Sequence, residues 1–280
     1  MNITIVGLGV IGGSYALALK PLKKYRLFAI DKDEDTLRKA EKLGIIEKGY
    51  SLEDNVEEVI KNSDIIIISI YPSLVKSFIE NNKAYFAKGT VITDATGVKG
   101  LFAQEIIKIL PDGVDFIFAH PMAGREKKGL DYASAEVFKG ANFIITPIDN
   151  NAISNLKLIE NLAYEMGFSN VKYLGLKEHD NIIAYTSQLP HVLAVSLINS
   201  EALNEDTGKC IGDSYRDLTR IANINAELWS ELFLGNKENL LKNIYAFEHE
   251  MKTIKEALIR DDKASLEEIF KKSTSRREKL

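Results

Sequence analysis

The chain has a single cysteine, Cys210, which excludes a disulfide framework and a thiolate metal cluster and fits a reducing compartment. It also lacks any excess of positive charge: 36 Lys and Arg stand against 40 Asp and Glu, a net charge of −4. That balance leaves no electrostatic footprint for nucleic acid or an anionic membrane, and neither is expected as a partner. No basic residue precedes Lys20 in the apolar opening MNITIVGLGVIGGSYALALK, which argues against a secretory signal, and the four glycines of positions 7–13 argue against a membrane span. No pair of the four histidines has zinc-binding spacing, so no metal is expected. What is present is ordinary: 45% apolar and 27% charged residues over 280 positions, a globular composition long enough for one large or two ordinary domains, expected in the cytoplasm.

Strand and helix patterns alternate through the first part. Asn2–Val6, Tyr25–Asp31, Asp64–Ile70, Thr90–Asp94, Phe116–Ala119, Asn142–Thr146 and Val171–Leu174 read as strands. Between them Gly13–Leu19, Glu34–Leu43, Leu52–Lys61, Ser73–Tyr85 (with Ser73 as N-cap), Leu101–Leu110 and Ala152–Met166 read as helices. This order implies an α/β, Rossmann-type, mostly parallel sheet covered on both faces. Beyond about residue 175 only helical patterns remain: Glu178–Asn204, Asp213–Ile221, Asn225–Leu234, Lys237–Arg260 and Lys263–Lys271. The expected division is therefore 1–175, a nucleotide-binding domain, and 176–280, an all-helical domain whose apolar surplus suits a homodimer interface and one wall of a cleft.

Gly7-x-Gly9-x-x-Gly12 follows the first strand and opens the first helix. The first glycine suits the tight turn, the second lets backbone approach a pyrophosphate, and the third permits close helix–strand packing. Val10 and Ile11 lie at the helix N-terminus, where unpaired N–H groups face phosphates. Asp31 ends the second strand, 19 residues beyond Gly12, placed to accept hydrogen bonds from a ribose and to repel a 2′-phosphate. The turn serves FAD and NAD alike; chain length and strand pattern favour NAD.

His120 follows a strand whose C-terminal end is the ligand edge of an open α/β sheet, and an imidazole there suits a general base for a hydroxyl proton. His191 follows Pro190 inside a helical pattern, where a kink would present polar groups, Gln188 among them, to a cleft; a satisfied core histidine fits the spacing equally. His179 and His249, within KEHDN and FEHEM, read as solvated. Arg216 and Arg220 share a helix face and match a carboxylate, or else pair with Asp213 and Asp217 at the surface. Trp229 reads as core.

GLGVIGGSYALALK, TDATGVKG, HPMAGREKKG, TSQLPH and YRDLTRIA with Trp229 together resemble the prephenate dehydrogenase family, in order and over essentially the whole chain. The resemblance implies NAD-dependent oxidative decarboxylation of prephenate to 4-hydroxyphenylpyruvate by a stand-alone, monofunctional homodimer. It also implies His120 as the catalytic histidine, Arg220 as the grip on a substrate carboxylate, His191 as a substrate-site histidine and Glu126 as an acidic gate. Two departures stand out. Thr96-Gly97 replaces the family's Gly-Ser, leaving Thr96 as the candidate for the missing serine's role, and Gln188 replaces the first histidine of an S-H-L-P-H run. Arogenate dehydrogenase, a β-hydroxyacid dehydrogenase and a non-catalytic nucleotide sensor are the competing readings; the HPMAG histidine argues against the second.

Overall fold

The computed structural model describes residues 1–124, 127–200 and 205–279. Its first part runs β1 (Asn2–Val6), α1 (Val10–Leu19), β2 (Arg26–Ile30), α2 (Glu34–Lys42), β3 (Lys48–Tyr50), α3 (Glu57–Lys61), β4 (Ile65–Ile68), α4 (Pro72–Asn82), β5 (Val91–Asp94), α5 (Ala103–Ile109), β6 (Asp115–Pro121), β7 (Asn142–Thr146), α6 (Ile153–Glu165) and β8 (Asn170–Tyr173). The eight strands form one sheet in the order β3-β2-β1-β4-β5-β6-β7-β8. All neighbours are parallel except β6 and β7.

The four isoleucines of β4 show why the sheet needs cover on both sides. Ile65 and Ile67 pack toward one face, with Tyr15 and Ala16 of α1, Leu37 of α2 and Ile159 of α6. Ile66 and Ile68 pack toward the other, with Val59 of α3, Val75 and Ile79 of α4, and Ile106 of α5. A period-two backbone sends alternate side chains to opposite faces, so a continuous apolar run is stable only between two helical layers.

Several elements differ from expectation. The stretch from Leu52 forms no helix before Glu57, because Asp54 accepts a hydrogen bond from Ser51 N (2.6 Å) and Asn55 one from Glu57 N (3.0 Å). Short polar side chains thereby give the backbone a turn in place of a helix. Pro72, not Ser73, opens α4, and the Ser73 hydroxyl donates to Glu231 at 2.9 Å instead of capping. The edge strand β3 gave no apolar signal because it is only three residues long.

From Leu176 onward every regular element among the described residues is helical: α7 (Leu176–Ile183), α8 (Leu189–Asn199), α9 (Glu205–Cys210), α10 (Asp213–Thr219), α11 (Ala226–Gly235), α12 (Lys237–Ile259) and α13 (Lys263–Arg277). The expected continuous helix from Glu178 is interrupted by a π-helical turn, Ala184–Gln188. Pro190 has no N–H to give and its ring crowds the carbonyl four residues back, and the wider turn accommodates both. The expected helix through Ile221 tightens into a 3₁₀ turn, Arg220–Ala222. No helix among the described residues is long and apolar enough to cross a membrane. The helical part docks on the sheet half through α11: Glu231 accepts from Ser73, and Asn225 donates to the Tyr71 hydroxyl at 3.1 Å.

Candidate active site

The glycine turn is built as a phosphate cradle. Gly7 has φ +91°, and a Cβ there would meet Ser69 O at 2.6 Å. A Cβ on Gly12 would stand 1.8 Å from Gly7 O, so α1 can approach β1 only with glycine at that position. At Gly9, by contrast, a Cβ would meet nothing within 4 Å, and no side chain caps α1. The first N–H groups of the helix, those of Val10 and Ile11 included, thus have no capping side chain and could serve an anion. Asp31, just past β2, accepts from Leu8 N at 2.6 Å and from Asp33 N at 2.9 Å, which ties the cradle to its neighbouring strand. These residues fit a dinucleotide.

His120 lies on β6 beyond the part that pairs with β5, opposite Ile144 of the antiparallel β7. Three strand spacings separate β1 from β6, about 14 Å along the sheet edge, a span suited to a dinucleotide laid from the cradle toward His120. Its Nε2 lies beside Gly97, where a Cβ would stand 3.7 Å from Nε2 and 3.3 Å from Leu232 of α11. Burial, with His179 and Lys99 nearby, holds the imidazole well below its ordinary value of 6.5, so the ring is neutral at neutral pH.

Behind His120 stand residues to which sequence reasoning gave no role. His120 Nδ1 is 2.9 Å from His179 Nε2, and His179 Nδ1 is 2.7 Å from Asp180 Oδ1. Asp180 also accepts from Lys99 N (2.9 Å) and Gly100 N (2.6 Å). Burial alone would raise its carboxyl, yet these hydrogen bonds hold it below its ordinary value. Burial lowers His179 against the pull of Asp180. The solvated reading of His179 is therefore corrected: it is completely buried. His179, Asp180 and Ile183 form the inward face of α7, while the charged Lys177 and Glu178 beside them dominate the sequence pattern. His249 is exposed, as read.

Asp94 and Lys99 make a fully buried ion pair at 2.5 Å that ends β5 and holds β6. Asp94 accepts from Ala119 N at 3.0 Å, and Lys99 donates to Ala119 O, so the pair holds both backbone polar groups of the residue before His120.

The remaining expected site residues fall differently. Thr96 does not take the serine's place: its hydroxyl donates to Asp94 and lies 3.1 Å from both Val98 O and Lys99 Nζ, and it is Gly97 that adjoins His120. Gln188 is buried and joins two helices, donating to Leu232 O (2.8 Å) and accepting from Asn236 (2.9 Å). Its carboxamide braces α11 over the site; nothing in its hydrogen bonds reaches toward the cleft. His191 is partly exposed, donates from Nδ1 to Ser187 O at 2.8 Å and stacks on Trp229 with centroids 3.6 Å apart. The carbonyl it uses belongs to the π-turn, and Trp229 is a half-buried stacking partner more than a core residue. Arg220 is exposed in the 3₁₀ turn, and Arg216 pairs with Asp213 at 3.0 Å. Glu126 lies outside the described residues.

A phosphate cradle and a neutral imidazole on one sheet edge, roofed by a helical second half, define the class of dinucleotide-dependent dehydrogenases. Comparison with known proteins narrows it. Residues 15–171 match the family described as prephenate dehydrogenase, nucleotide-binding domain, and residues 176–272 match prephenate dehydrogenase, dimerization domain. The chain belongs to the prephenate dehydrogenase family. A prephenate dehydrogenase of Bacillus subtilis (strain 168) is 30% identical over 292 residues, covering 100% of this chain and 76% of that protein. A cyclohexadienyl dehydrogenase of Zymomonas mobilis is 27% identical, covering 99% and 94%. The crystal structure of prephenate dehydrogenase from Aquifex aeolicus with hydroxyphenyl propionate and NAD+ is 29% identical, with a TM-score of 0.90 over 100% of this chain and 98% of that one.

Proposed function

We propose that this protein oxidatively decarboxylates prephenate to 4-hydroxyphenylpyruvate with NAD. The observation that carries the reading is the place of His120, whose Nε2 lies beside Gly97 on the cradle's sheet edge. NAD, when bound, would supply the hydride acceptor; the Gly7–Gly12 turn with the Val10 and Ile11 N–H groups would hold its phosphates, and Asp31 its ribose. His120 accepts the proton of the ring hydroxyl as the carbonyl forms. The ring carboxylate then departs as CO2, its electron pair aromatises the ring, and His120 returns the proton to the phenolic oxygen. Arg220 grips a substrate carboxylate and His191, braced by Trp229, orients the substrate. Residues 1–175 form the cofactor-binding unit and 176–280 the helical one.

Steady-state kcat/KM for prephenate and arogenate, measured side by side, tests the reading. A clear preference for prephenate is expected; a preference for arogenate would transfer the assignment to that substrate, and no NADH formed from either would leave a nucleotide sensor. NAD should be favoured over NADP by at least about tenfold in kcat/KM, about 1.4 kcal/mol, because the Asp31 carboxylate repels a 2′-phosphate. Equal efficiency with both nucleotides would remove that role from Asp31.

The protein acts as a homodimer assembled through its helical half, where Leu258, Ile259 and Phe270 of the α12–α13 hairpin region are 60%, 71% and 57% exposed. Sedimentation should give a dimer at micromolar concentration; a monomer would refute this.

A further inference from the structure

Asp180 is anchored through both oxygens, Oδ1 by Lys99 N and Oδ2 by Gly100 N. An ionised carboxylate only accepts, so the nitrogen of His179 that meets it, Nδ1, must carry a hydrogen. Neutral His179 then has its lone pair on Nε2, which faces His120 Nδ1. His120 must therefore donate from Nδ1, and its own lone pair falls on Nε2, the nitrogen beside Gly97. Among the described residues His179 is the hydrogen-bond partner of His120, and Gly97 has no side chain with which to orient the ring from the cleft.

We propose that Asp180 and His179 are positioning residues that fix the His120 tautomer and deliver its proton-accepting lone pair to the cleft. The proposal rests on His120 acting as the base. Each link has one hydrogen-bonding direction, and the direction originates at two backbone N–H groups of the loop after β5. Once His120 is protonated, the same chain stabilises the imidazolium, because His179 Nε2 continues to accept from Nδ1. The charged groups facing the pair are Asp180 from α7, Asp94 from the end of β5 and Lys99 from the loop after it, and both carboxylates are engaged by N–H donors.

Nitrogen-15 NMR of histidine-labelled protein, without substrate, reads the tautomers directly. Both His179 and His120 should carry hydrogen on Nδ1; a His120 protonated on Nε2 would overturn the proposal. Asp180→Asn presents an amide N–H where only an acceptor fits, and kcat should fall by about 10²–10⁴-fold with KM for the substrate within about threefold. His179→Gln keeps a donor toward Asp180 and an acceptor toward His120 and should retain kcat within about tenfold. His179→Leu should lose as much as Asp180→Asn. Normal kcat in both Asp180→Asn and His179→Leu would overturn the proposal. If arogenate proves to be the substrate, the same kcat and KM split is read with arogenate, so an error in substrate is distinguished from an error in the relay.

Discussion

Replacing His120 with asparagine should lower turnover by about 10²–10⁴-fold while leaving the KM for prephenate nearly unchanged. Asparagine keeps the approximate shape and one hydrogen bond toward His179 but cannot take up a proton. The loss belongs to the chemical step, because the residues proposed to hold the substrate, Arg220 and His191, lie on other elements. The pH dependence has a definite sign. Burial holds the His120 imidazole well below 6.5, so the reactive, neutral form prevails at neutral pH and is lost only as the solution becomes more acidic. The acid limb of kcat/KM should therefore lie below pH 6.5 and be absent in His120→Asn. Near-normal turnover in that variant would remove His120 from the base role.

Lys99→Met should cost about 3–5 kcal/mol of stability, the largest structural effect expected of a single substitution here. The ammonium is completely buried and surrounded by acceptors: Asp94, the carbonyl and hydroxyl oxygens of Thr96, and Ala119 O. Burial pulls its pKa down, and Asp94 at 2.5 Å opposes that pull. Methionine fills the volume but leaves the Asp94 carboxylate in the core without its cation. Urea unfolding measures the loss. The deficit relative to the wild type should shrink as pH falls, since an uncompensated buried carboxyl binds a proton more tightly folded than unfolded. Adding Asp94→Asn should recover part of the stability by removing the stranded charge. A loss under about 1 kcal/mol for Lys99→Met would show that the pair merely offsets its own desolvation.

Both effects concern residues that differ in how far the linear sequence exposes them. The glycine turn, Asp31 and the position of His120 are legible because their determinants are local. A strand must precede the turn, a helix must follow it, and a base after a strand lands on the ligand edge of the sheet. The two-layer burial of β4 is equally local, since four consecutive isoleucines admit no exposed face. The π-turn was foreshadowed by Pro190, although its width was not.

Which polar side chains are buried together was settled only by tertiary structure. Asp94 ends β5, Lys99 lies in the loop after it, and His179 and Asp180 lie on a helix about 80 positions further on, where charged neighbours suit a solvated surface. Thr96 and Gly97 are adjacent, yet the chain turns the Thr96 hydroxyl toward Asp94 and sets Gly97 against His120, so a choice between neighbours depended on backbone direction. Sequence by itself determined the sheet, the glycine turn and the place of His120 on the sheet edge, because backbone periodicity and steric rules act over a few residues. The tertiary structure alone decided how the His120 ring is held, because its partner His179 and the groups behind it, Asp180 and the Lys99 and Gly100 N–H groups, meet only when the helical half closes over the sheet.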